Sequence, residues 1–124
     1  MVNELFGWIS VLGGLAMGLV IGMKFQREDW LGGYTAFPRR MVRLAHVAMV
    51  ALGMLNIQFA QSAERMNLSL GVAEAASLAF IAAAVLMPAC CLWMAFRRGR
   101  FEIFAAPISC LAAGLILTIG GLLR

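Results

Sequence analysis

His46 is the only histidine in a chain of 124 residues, and it falls inside an apolar run rather than in a polar segment. Arg43, Met49, Val50 and Gly53 share its face at helical spacings of three, four and seven. A buried imidazole beside a small residue is how a membrane helix presents an axial ligand to haem b. A bis-His haem needs a second imidazole, which would have to come from a partner subunit or a symmetric dimer. A methionine such as Met17, Met87 or Met94 is the other way to complete the set. Methionines also fill irregular core gaps, and a histidine bonded to a carbonyl or a headgroup satisfies the same pattern. The residue types therefore favour no resident cofactor, with haem b on His46 as the alternative.

Other reactive groups are sparse. Cys90, Cys91 and Cys110 lie in apolar runs, and neighbours in a helix point about 100° apart, so Cys90 and Cys91 do not face one metal. No CxxC or Cys/His spacing is present. Asn56 and Gln58 are amides of the kind that bond across membrane helices. With Thr118 they form the polar set that a small homo-oligomeric channel or permease would use. All six carboxylates (Glu4, Glu28, Asp29, Glu64, Glu74 and Glu102) fall near the ends of apolar runs. Proton- and cation-coupled carriers place one at mid-depth. Small four-span multidrug exporters depend on a glutamate in the first span, where this chain has Gly14, Met17 and Gly18. No nucleophile–base pair or phosphate loop is present, so the expectation is a protein that is not an enzyme.

These residues must be positioned by helices in lipid. The hydrophobic fraction is 63% and the charged fraction 13%, against about 25% charged in soluble domains. Four stretches reach the roughly 20 apolar residues needed to cross a bilayer, namely residues 5–25, 41–60, 73–96 and 101–123. Backbone groups in hydrocarbon have no water partner, so each is read as a helix. The fold expected is all-α: a single domain over residues 1–124, built as a four-helix transmembrane bundle with short connectors.

Charge sets the orientation. Lys24, Arg27, Arg39, Arg40, Arg43, Arg97, Arg98 and Arg100 lie in or beside two connectors, against Arg65 and Arg124 on the other side. By the positive-inside rule both basic connectors face the cytoplasm and both termini lie outside. The acidic flank Met1-Val2-Asn3-Glu4 is not that of a cleaved signal peptide. The cations stand at helix ends where anionic headgroups wait, which argues against nucleic acid as a partner.

Within this frame, Gly14, Gly18 and Gly22 form a GxxxGxxxG face where another helix can approach closely, within the chain or between chains. The connector from Gln26 to Pro38 holds Trp30, Tyr34 and Phe37, an aromatic belt with a Gly32-Gly33 turn. Trp30, Tyr34, Arg39, Arg40 and Arg43 are thus expected to contact headgroups or a partner, and Glu28-Asp29 to pair with the arginines. Pro38 suits a first helical turn. Ser69 suits an N-cap with Glu74 beside it, and Pro88 and Pro107 favour kinks. Asn67-Leu68-Ser69 is a short glycosylation match. The functional expectation is a small structural or accessory subunit of a larger cytoplasmic-membrane complex, respiratory or electron-transfer among the options. The partners are lipid, other membrane subunits or further copies of the chain.

Overall fold

The computed structural model describes residues 2–97 and 99–123; Met1, Arg98 and Arg124, which enter the flank and charge readings, lie outside them. Four α-helices run in order: α1 (Val2–Lys24), α2 (Phe37–Arg65), α3 (Leu70–Phe96) and α4 (Ala105–Leu122). Short 3₁₀ turns occupy Trp30–Gly32 and Phe101–Phe104, and no strand occurs among the described residues. Each helix, the last counted with its preceding 3₁₀ turn, is long and apolar enough to cross a membrane.

Helices α1, α2 and α3 begin before their apolar runs because hydropathy and helix capping start at different residues, whereas α4 begins inside its run, after the 3₁₀ turn at Phe101–Phe104. The second run begins at Met41, yet α2 begins at Phe37, with Pro38 in its first turn and Ala36 as N-cap. At 1.5 Å per residue, its 29 residues extend over about 43 Å, more than the hydrocarbon thickness. Its far end closes in a Schellman arrangement: Leu68 N–H reaches Ala63 O at 3.4 Å and Asn67 N–H reaches Glu64 O at 3.4 Å. Asn67 takes the left-handed conformation this requires, with φ 47°. Ser69 holds the N-cap position of α3 without a side-chain bond, and Glu74 lies beyond the first turn. The helix α3 runs on through Pro88, whereas Pro107 falls in the first turn of α4, where the missing N–H has no partner to lose.

Each helix packs mainly on the next in sequence; α1 also touches α3, while α1 and α4 make no extensive pair. The α1 seam is narrow. Asn3, Gly7, Ser10, Gly14 and Ile21 are its buried residues, spaced by four, three, four and seven, with half-buried Met17 filling the gap. An apolar cluster of Phe59, Ala63, Ala76 and Phe80 holds α2 to α3, with Leu111 and Leu117 of α4 against it. At the other end Ile21, Val42 and Ala95 join α1, α2 and α3. Buried Ala83, Ala84 and Cys91 line α3, whose small side chains let its neighbours approach closely. Large apolar residues outside these seams, among them Leu12, Leu19, Leu78 and Ile116, are exposed, as lipid contact allows.

Candidate functional site at the basic end

The chain turns sharply after α1. Leu31, Gly32 and Gly33 have φ of 52°, 88° and 101° in succession. The two glycines adopt this freely, whereas Leu31 carries a cost of about 1–2 kcal/mol. Leu31 packs against the Ile21–Val42–Ala95 cluster, which offsets it. The turn folds Trp30 and Tyr34 back over the start of α2, and the two meet Arg39 there.

Arg39 is 1% exposed. Its guanidinium carbon lies 4.5 Å from the Phe25 ring centroid, 5.5 Å from Tyr34 and 5.6 Å from Trp30. Its terminal nitrogens donate to Phe25 O at 3.1 Å and Arg27 O at 3.4 Å. Both carbonyls follow the C-terminus of α1, the negative end of its dipole, so the cation is stabilised by oriented dipoles and ring faces. The Nε has no partner. Arg43 lies 4.7 Å above Tyr34 and 5.9 Å from Phe25, and Phe25 meets Tyr34 edge-on at 5.9 Å.

The arginines do not pair with Glu28 and Asp29 as expected. Among the described residues the ion pair found is Arg100–Glu102 at 3.6 Å, both side chains largely exposed. Carbonyls and aromatic faces have taken the place of carboxylates. Of the residues expected to meet headgroups or a partner, Trp30, Tyr34, Arg39 and Arg43 come together in one cage, while Arg40 is exposed beside it. Phe25 is the member that sequence reasoning missed. It is the last residue of the first apolar run, and only the return of the connector reveals its place in the cage.

His46 stands on α2 further into the membrane-spanning region. Its Nδ1 lies 2.7 Å from Gly14 O, and since a carbonyl only accepts, Nδ1 carries the proton. A Cβ built on Gly18 would stand 2.6 Å from His46 Cε1, and one on Gly14 2.6 Å from Val50 Cγ2. Gly14 and Gly18 therefore face α2 of the same chain. Gly22 departs from the expected face: it is exposed and a Cβ there would meet nothing within 4 Å. The α1 seam continues instead toward Gly7, whose Cβ would stand 2.6 Å from Gly53 O. Ser10 donates to Met49 O at 2.9 Å along the same contact.

At the opposite end the amides form a closed set. Asn3 Nδ2 donates to Asn56 Oδ1 at 2.8 Å and to Ser77 O at 3.3 Å, and the Ser77 hydroxyl donates to Asn3 Oδ1. Asn56 Nδ2 donates to Leu52 O at 2.8 Å and Phe80 O at 3.3 Å. Gln58 is exposed on another face of α2, and Thr118 donates to Gly114 O of its own helix at 2.7 Å. Asn56, Gln58 and Thr118 are thus not brought together. Met17 packs in the Ile21–Val42 cluster and Met94 is buried. The cysteines are free, and no group of three or more metal-ligating side chains gathers among the described residues. Comparison with family models, with curated proteins and with solved structures gives no match to the chain.

Proposed function

We propose that the chain is a non-catalytic structural subunit of a larger assembly in the cytoplasmic membrane, with the basic connectors inside and both termini outside. The observation that carries this reading is the use made of the intramembrane polar groups. Asn3, Ser10, His46, Asn56, Ser77 and Thr118 are all engaged in holding the chain to itself. Buried polar groups of a carrier or an enzyme would converge on a substrate instead. The outer helix α4 meanwhile leaves Ala105, Ser109, Ala112, Ala113 and Gly120 uncovered, small residues that suit close helix contact better than lipid. The test is native mass spectrometry of tagged protein extracted from its own membranes in mild detergent. Companion subunits of reproducible mass support the reading, and a bare monomer or clean homo-oligomer sinks it.

A second reading, haem b held by His46, is favoured by one observation. With Nδ1 donating to Gly14 O, neutral His46 leaves Nε2 as the bare nitrogen, the arrangement of metal-ligating imidazoles. A Soret band in the extracted assembly that His46→Ala abolishes would establish it; an assembly without that band ends it.

A further inference from the structure

We propose that the surface formed by Arg43, Arg40 and Tyr34 binds the phosphate of an anionic phospholipid, with buried Arg39 holding the surface in place. The cage solvates Arg39 with carbonyls and ring faces, none of which brings a net negative charge. No carboxylate pairs with Arg39, Arg40 or Arg43 among the described residues. The positive charge of three arginines within five positions thus stands uncompensated by the protein.

Arg43 is the group built to receive the anion. Its guanidinium carbon lies over the Tyr34 ring, 4.7 Å from the centroid, which holds the group at the surface of the cage. Among the described residues it donates no hydrogen bond, so its N–H fork remains free for two parallel bonds to a phosphate. Arg40, one turn back on α2, is exposed and adds a second cation. The ligand chemistry is a phosphate oxyanion, and a lipid is favoured over a soluble phosphate by where the surface lies. It caps the end of two helices long and apolar enough to span a membrane, and its rings include Tyr34, which is 60% exposed. Aromatic side chains at helix ends take up headgroup depth.

The experiment uses the full chain purified in detergent, titrated with phosphatidylglycerol or phosphatidylcholine and read by native mass spectrometry. Wild type retains phosphatidylglycerol and not phosphatidylcholine. Arg43→Gln weakens retention by about fivefold, Arg43→Lys recovers part of it, and Arg65→Gln, at the opposite end of α2, leaves it unchanged. Exposed Arg40→Gln shifts retention in the same direction as Arg43→Gln, which covers the case in which the latter misfolds. Millimolar inorganic phosphate should leave the bound lipid in place. Its displacement of the lipid would assign the surface to a soluble anion and overturn the lipid proposal. Equal retention of the two lipids, or wild-type retention in both Arg43→Gln and Arg40→Gln, overturns it outright.

Discussion

The imidazole of His46 is fastened to α1 at two points one turn apart: Nδ1 donates to Gly14 O at 2.7 Å, and Cε1 occupies the space where a Gly18 side chain would begin. The glycine spacing and the histidine, which look like separate features along the chain, are two sides of one helix contact. Gly18 is small because the ring needs room, and the ring is polar because Gly14 presents a carbonyl to it.

That relationship predicts a specific non-additivity. Gly18→Ala places a methyl 2.6 Å from Cε1, and overpacking of this kind costs about 1–3 kcal/mol. In a His46→Ala background the obstruction is gone, so the same change should cost close to nothing. Gly22→Ala, with open space around it, should be neutral in both backgrounds. Reversible unfolding in mixed micelles measures all four; equal penalties for Gly18→Ala with and without His46 would refute the contact.

The four spans and the Gly32-Gly33 turn were legible because long apolar runs and paired glycines have few alternatives in lipid. Which face of α1 is buried was only half legible. Spacing of four picks out Gly14, Gly18 and Gly22, but the buried seam follows spacings of four and three from Asn3 through Gly7, Ser10 and Gly14. A straight row of fours drifts around the helix, so Gly22 leaves the contact while Ile21 remains in it. Asn3 read as a polar flank since nothing nearby in sequence indicates that Asn56 and Ser77 wait for it.

Asn3, Asn56 and Ser77 lock three helices at one end. Asn56→Leu removes the acceptor for Asn3 and both carbonyl bonds. Interhelical bonds of this type contribute about 0.6–2 kcal/mol in membranes, which sets the expected loss. Asn3→Ala should cost less in the Asn56→Leu background than alone, because the Asn3–Asn56 bond is already gone and only the bonds to Ser77 remain to be lost. Full additivity of the two losses, measured by the same unfolding assay, would separate them.

Asn67 closes α2 in the left-handed conformation. Asn67→Gly should be neutral or slightly stabilising, since glycine adopts φ 47° without strain. Asn67→Val forces a β-branched side chain into the same conformation and should cost about 1–2 kcal/mol. Leu68, which follows, packs against the Phe59–Ala63–Phe80 cluster and lies close to Gly121 of α4. Loosening the turn should therefore expose α4 as well, read as faster hydrogen exchange in residues 111–121 of Asn67→Val.

Arg39 gives the sharpest contrast between a charge and a shape. A lysine keeps the cation but has neither the planar face for Phe25, Trp30 and Tyr34 nor the fork for Phe25 O and Arg27 O. Arg39→Lys should lose about 1–3 kcal/mol, the scale of stacked cation–π contacts and charge-assisted bonds together. Arg39→Gln should lose at least as much, since it gives up the cation and the planar fork together. Arg40→Lys, on an exposed position, should change stability by less than about 0.5 kcal/mol. If Arg39→Lys were as stable as wild type, the cage would be an accident of packing. A loss confined to Arg39, accompanied by cleavage of the Gln26–Ala36 connector by added protease, would show that the buried guanidinium holds the connector against α2.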